Sequence, residues 1–590
     1  MSARGSAAEP SPGGLEAGPP TAVRWGPAFA LRQALAEGYG IPELRADLMA
    51  GLVVGIVALP LSMALAIATG VPPQHGLYTA IVAGALIAGL GGSRVQVSGP
   101  TAAFVVILAP MATRYGLRGL LLATFLAGAM LLALGLFRMG RLIEFVPYPV
   151  VTGFTSGIAV VIATLQVKDL LGLSVPHMPE HYLGRVAALG RALPTVQWAD
   201  LAVGALTLGL LVLWPRVSRR LPAPLVALGV AALAVALLTR WMPGLSVATV
   251  AGRFQGIPQH PPAFALPWTL PGPDGVTVPL SYGLLRALVP AAFAIAMLGA
   301  MESLLSAVVA DGMTGRRHDP DAELVAQGVG NLVVPFFGGF AATGALARTA
   351  TNVRSGARTP IAAMFHALVV LAGVMALSPL LGALPMASLA ALLLIVAWNM
   401  SERKHFLYVL RAAPRSDALV LLACFSLTVL FDMVVAVTAG MVLSSLLFIR
   451  RMAEVSGVTL VGDTHPELRE PLPRGIVLYE VAGPLFFGAA QAAMSALQNV
   501  EKRGVRAVVL DLRGVPAIDA TGLVNLQSLL GRLHKAGVKV ILAGLRPQPL
   551  RVLARAGWRN RRGQLRIFRS FDRAIAAARS FAERTAADRR

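Results

Sequence analysis

The chain has 590 residues, 56% of them hydrophobic and 14% charged, whereas a soluble domain carries about a quarter charged residues. With a mean hydropathy of +0.69, this composition excludes a soluble globular protein and indicates many membrane spans, each needing about 20 mostly apolar residues. The single cysteine, Cys424, excludes a disulfide framework or cysteine-rich metal site, and the net charge of +22 would suggest nucleic acid only if it lay on a soluble surface.

Residues 1–46 are rich in Gly, Pro, Ser and Ala without a basic leader and apolar core, so a mobile cytoplasmic segment is expected rather than a cleavable signal peptide. Apolar runs then predict spans near 48–68, 77–92, 99–112, 118–137, 147–167, 198–215, 222–239 and 287–310. A second series follows near 322–338, 343–354, 359–378, 383–399, 416–434 and 436–449. Charge is scarce within them: Leu48 to Thr113 contains only Arg94, and Pro360 to Ser401 contains no Asp, Glu, Lys or Arg. Residues 47–452 therefore read as an α-helical polytopic membrane domain of roughly 14 spans.

Even-numbered connections carry Arg94, Arg138 with Arg141, Arg216 with Arg219 and Arg220, and Arg316 with Arg317. Later ones carry Arg354 with Arg358, Arg403 with Lys404, and Arg450 with Arg451. The positive-inside rule then places both ends of the chain in the cytoplasm.

The segments 99–112 and 343–354 are too short to cross a bilayer, and they open on Ser98-Gly99-Pro100-Thr101 and Thr343-Gly344-Ala345. Each is third in its set of seven, which predicts two inverted seven-helix repeats with matched interrupted helices. A helix that starts inside the membrane leaves its first amides unpaired, and those amides with the helix dipole attract an anion. The competing reading is that these glycines only permit kinks and close packing.

Glu302 is the only charge from Ala287 to Ala310. An intramembrane carboxylate is costly and marks a functional position. Ser306 lies one helical turn on, so the pair could bind a coupling cation, or Glu302 could exchange a proton; a carboxylate buried for stability is the alternative. Arg348 follows an uncharged run from Asn331 to Ala347. Near a helix start it opposes the dipole, so it calls for a nearby anion, for Glu302 as partner, or for an interface shared with Arg354 and Arg358. His75 and His366 read as packing or loop residues.

Residues 453–470 are expected to link this domain to an α/β domain at 471–590. Strand-like runs Ile476–Val481, Ala507–Leu512 and Val538–Ala543 alternate there with helix-like stretches 489–502 and 522–535 and two more helices. The domain lacks a phosphate loop, a metal-ligand cluster and a nucleophile with a base.

Leu59-Pro60 through Met63-Ala64, Gly70-Val71-Pro72-Pro73 and Gly76-Leu77-Tyr78 resemble the first two helices of the SulP family of sulfate permeases. Gln96-Val97-Ser98-Gly99-Pro100-Thr101, Met301-Glu302-Ser303-Leu304-Leu305-Ser306 and Gly338-Gly339 through Thr349 resemble the family's third, eighth and tenth helices. The C-terminal domain resembles the STAS domain that these transporters carry. The resemblance implies a core and a gate domain, an elevator-type movement and a homodimer. It places the anion near Thr101, Ala102, Gly344, Ala345, Leu346, Ala347 and Arg348, lined by Leu61 and Leu65, with the coupling ion at Glu302 and Ser306.

A glutamate at 302 is similar to proton-coupled members, whereas sodium-using relatives carry aspartate. Leu346 replaces a hydroxyl found in some of those relatives, and Thr101 replaces an aromatic of some animal members, so channel-like behaviour is not implied. In Ile518-Asp519-Ala520-Thr521-Gly522 an alanine stands where phosphorylatable relatives have serine, and Thr521 is expected to cap the next helix. The function expected is proton-coupled uptake of sulfate or a similar anion across the inner membrane, with bicarbonate or dicarboxylate transport, or an uncoupled channel or sensor, as alternatives. Expected partners are a small anion, a proton or else sodium, and membrane lipid; no cofactor, metal or nucleic acid is expected.

Overall fold

The computed structural model describes residues 26–141, 146–176, 178–179, 181–218, 221–242, 246–271, 281–431, 433–455, 457–461, 467–468, 470–486, 505–561 and 564–587. Most of the expected N-terminal segment, Arg219, Arg220 and the helix expected at 489–502 lie outside the described residues. The chain forms two compact units, residues 1–441 and 442–590.

In the first unit the described residues are mostly helical, with one two-stranded ladder. After α1 (Phe29–Ala36) come α2 (Ile41–Thr69) and α3 (Pro73–Leu90). The α2 start is held by the Glu43 carboxylate accepting the Gly40 N–H at 3.2 Å, and its end by Gly70 in the left-handed region. A two-residue strand β1 (Ser98–Gly99) leads into α4 (Ala102–Leu136). The runs 99–112 and 118–137 both fall in α4, which is broken at one residue, Gly116, with φ 64° and ψ −170°. Only glycine adopts that conformation readily.

Then follow α5 (Tyr148–Leu170), α6 (Tyr182–Ala192), α7 (Trp198–Val217), α8 (Ala223–Trp241), α9 (Val250–Phe254) and α10 (Tyr282–Thr314). The run expected at 322–338 divides into α11 (Pro320–Val333) and a 3-10 turn at Val334–Phe337. Pro335 lacks the N–H that an α-helix would need at that point. Next are β2 (Thr343–Gly344), α12 (Leu346–Arg354), α13 (Pro360–Gly382), α14 (Met386–Met400), α15 (Arg403–Ala412), α16 (Arg415–Leu430) and α17 (Met433–Val455). Among the described residues, eight helices are long and apolar enough to cross a membrane.

Packing sorts the helices into two groups. α2, α3 and α4 pack against α10, α11, α12 and α13, while α5 and α7 pack against α14, α16 and α8. The grouping brings the two short strands together inside the first group.

The C-terminal unit is a five-stranded sheet in the order β3 (Gly457–Val461), β4 (Ile476–Ala482), β5 (Ala507–Gly514), β6 (Lys539–Ala543), β7 (Leu565–Ile567). β3 is antiparallel to β4, and the other pairs are parallel. β3 lies within residues expected to be a linker. Helices α18 (Ala520–Lys535) and α19 (Pro547–Arg555) cover one face through Leu526, Leu529, Leu533 and Leu553. Helix α20 (Phe571–Ala587) covers the other through Phe571, Ala574, Ile575 and Ala578. Asp519, not Thr521, caps α18: its carboxylate accepts the Gly522 N–H at 2.6 Å. Thr521 sits exposed in the first turn, past the position from which a side chain reaches those amides.

Candidate anion site between two helix starts

β1 and β2 pair antiparallel, Ser98 opposite Gly344 and Gly99 opposite Thr343. The Ala345 N–H extends the ladder to the Val97 carbonyl at 2.9 Å. Each strand runs directly into a helix, so α4 and α12 start on either side of this ladder. Neither start has a side-chain cap, which leaves first-turn amides without protein partners from a cap. Glycine is required by close approach. A Cβ on Gly344 would stand 2.1 Å from Gln96 Nε2, and one on Gly99, at φ 156°, would stand 2.7 Å from Arg348 Nη1.

A buried polar scaffold holds this crossing. The Glu323 carboxylate, 1% exposed, accepts from the Gly92 and Ser93 amides at 3.1 and 3.3 Å, and from Gln96 Nε2, Ser303 Oγ and Gln327 Nε2 at 3.0, 3.0 and 3.1 Å. Gln327 also donates to Ser98 Oγ at 3.1 Å. Asn331 clasps the opposite strand, exchanging two 2.8 Å hydrogen bonds with the backbone of Ala342. Glu323, Gln327 and Asn331 are four residues apart and share one face of α11. Sequence reasoning passed over them, although this polar stripe in an otherwise apolar helix was a signal.

Glu302, on α10, accepts from Thr101 Oγ1 at 2.8 Å. Arg348, 3% exposed, donates from Nη2 to the Pro100 carbonyl at 2.5 Å, while its Nε and Nη1 are buried without partners. No ion pair among the described residues includes Arg348 or Glu302. Arg348 is also no part of an interface with Arg354 and Arg358, which are exposed; Arg358 pairs with Glu43 at 2.8 Å. It reaches instead across to the start of α4.

Ser306 is buried and donates to Thr349 Oγ1 at 3.1 Å, and Thr349 in turn accepts the Val97 N–H at 3.1 Å. Thr101, Ala102, Ala345 and Leu65 are buried, Leu61 is half-buried, and Leu346 and Ala347 are exposed beside the helix starts. His75 Nδ1 lies 2.6 Å from the Gly338 carbonyl, and His366 is fully buried. Among the described residues, no three His, Cys, Asp or Glu side chains gather as a metal site would require.

Two uncapped helix starts thus meet inside the helical unit, beside an arginine with two buried donors that have no hydrogen-bond partner. Residues 44–424 match the sulfate permease family and residues 469–574 match the STAS domain. The chain belongs to the sulfate permease family, a family of sulfate and related anion transporters of the membrane.

It is 38% identical to "Putative sulfate transporter YvdB" of Bacillus subtilis (strain 168), over 91% of this chain and 98% of that protein. It is 28% identical to "Bicarbonate transporter BicA" of Synechocystis sp. (strain ATCC 27184 / PCC 6803 / Kazusa), over 87% of this chain and 90% of that protein. The fold is that of the murine Solute Carrier 26 family member A9 anion transporter, with a TM-score of 0.81 over 94% of each chain at 19% identity.

Proposed function

We propose that this protein is a secondary active transporter that brings a small divalent oxyanion, sulfate, across the inner membrane together with a proton. The observation that carries the reading is Arg348: a buried guanidinium with unpartnered Nε and Nη1, set between two uncapped helix starts. An anion seated there accepts from the first-turn amides of α4 and α12 and from that guanidinium. Charge-assisted hydrogen bonds of this kind are about twice as strong as neutral ones. Leu61 and Leu65 supply an apolar wall that keeps the local dielectric low.

Glu302 then sets the coupling. Ionised, it adds a negative charge beside an incoming dianion; protonated, it removes that charge and leaves Arg348 to compensate the anion. Sulfate and a proton therefore favour each other's binding, and the linkage is reciprocal. Ser306 supports the site through Thr349 rather than by facing an ion. In this reading both chain ends lie in the cytoplasm, the α/β unit is a regulatory or assembly module, and the protein acts as a homodimer among membrane lipids.

Proteoliposome uptake tests the proposal. An inward proton gradient should drive labelled sulfate above its equilibrium level, and Glu302→Gln should abolish that accumulation while leaving exchange of sulfate down its own gradient. Uptake indifferent both to the pH difference and to E302Q would sink proton coupling. A second reading, bicarbonate as the substrate, is favoured by the likeness to BicA; excess bicarbonate would then displace labelled sulfate and sulfate would compete poorly in return.

A further inference from the structure

In the C-terminal unit the parallel strands start side by side. The Arg506 N–H donates to the Gly475 carbonyl at 2.7 Å, and the Lys539 N–H donates to the Arg506 carbonyl at 2.9 Å. That row of strand starts concentrates basic side chains. A cavity of about 330 Å³ opens there, lined by Arg474, Arg506, Ile476, Phe581 and Glu583. Lys539 stands against the same wall, 9% exposed, with Nζ 4.1 Å from the centroid of the Phe581 ring. Arg566, paired across the sheet with Ile541, lies on the sheet face that Lys539 shares, and Arg584 extends from α20.

Among the described residues, no carboxylate forms an ion pair with Lys539, Arg474, Arg506, Arg566 or Arg584. Glu583 is the one acid on the cavity wall, and Glu470, just before β4, is already engaged by Arg579. A cation over an aromatic face offsets only part of one buried charge. The remaining like charges repel one another, and a cluster of this sign attracts a counter-anion.

We infer that this cavity binds a multiply charged phosphate-bearing anion, with Arg474 and Arg506 as forked donors and Lys539 as a point charge behind the Phe581 ring. Arginine's planar fork matches phosphate oxygens in pairs, while an ammonium serves phosphate as a compact charge. Burial, followed by Arg566 and Arg584, pushes the Lys539 ammonium below its usual range; an anion in the cavity would restore it. The ring and Ile476 form an apolar edge against which the rest of the molecule carrying the phosphate can lie. The same chemistry is offered by a dissolved polyphosphate and by a diphosphate lipid headgroup.

Hydrogen exchange on the full-length protein separates the sources. In one arm, nanodiscs of phosphatidylcholine alone are titrated with inorganic pyrophosphate; in the other, the nanodiscs contain cardiolipin and no pyrophosphate. Slowed, saturable exchange at residues 474–476 and 581–583 is expected in at least one arm, and the arm that responds identifies a dissolved anion or a lipid headgroup. Arg506→Gln should weaken the response about tenfold, the loss of roughly one charge-assisted hydrogen bond. Arg474→Gln, at an exposed position where folding is not at stake, should weaken it in the same direction. No slowing in either arm, or equal slowing in both variants and the parent protein, would overturn the assignment.

Discussion

Two charges carry the chemistry proposed for the membrane unit, and their surroundings differ. Among the described residues Glu302 has one hydrogen-bond partner, Thr101. Arg348 is fixed by the Pro100 carbonyl and keeps two donors in reserve. Replacing it with lysine preserves the charge but loses the fork, so Arg348→Lys should lower sulfate uptake by about thirtyfold or more while the melting temperature stays within a few degrees. Equal uptake by that variant and the parent protein would show that only charge is needed. Both residues were legible in the sequence because each interrupts a long uncharged run. Glu323 was not: it follows Asp319 and Asp321 so closely that it reads as one more acid at a helix start, and only the fold reveals its five donors. Glu323→Gln keeps its shape but sets an amide N–H₂ against donors, which should cost about 1–3 kcal/mol. Thermal unfolding in detergent would register it as a lower melting temperature, with uptake by the folded fraction little changed.

The informative elements are the shortest ones. β1 and β2 together contain four residues, yet their pairing sets the positions of α4 and α12. The sequence marked both segments as interrupted through Gly99-Pro100 and Thr343-Gly344, but strand pairing between them could not be read from either alone, since each strand is too short to show alternation. A methyl group at Gly99 would press on the Arg348 guanidinium. Gly99→Ala should therefore suppress uptake severely, whereas Gly116→Ala, which strains the break in α4, should lower stability by about 1–3 kcal/mol and leave substrate affinity nearly unchanged. Measuring affinity and melting temperature on both variants separates the two effects. In the C-terminal unit the apolar runs located β4, β5, β6 and α18 within a few residues. β3 and β7 were missed because β3 lies in the charged stretch after the last span and β7, Leu-Arg-Ile, spans only three residues.

For the whole molecule, the position of charge matters more than its amount. Residues 453–590 hold 22 basic and 11 acidic side chains, half of the net charge of +22, and upstream of them arginine pairs such as Arg138 with Arg141 and Arg316 with Arg317 stand in connections between helices, which argues for an orientation rather than for nucleic acid. The native Cys424 is fully buried, so impermeant maleimide reports on introduced cysteines without background. A cysteine at exposed Arg317 should label only in inside-out vesicles, and one at exposed Gln259 only from outside intact cells; the reverse pattern would invert the orientation. The pairing of β1 with β2 also bears on how the protein is made. Arg348 and its acceptor Pro100 are separated by 248 positions, so the ribosome releases the third segment long before its counterpart exists. During that interval the amides of residues 97–99 face a bilayer without partners, a costly state. The nascent chain therefore needs an insertion chaperone or the translocon's own interior to shelter that segment, and a chain stopped after Thr314 should be recognised as unfinished and degraded.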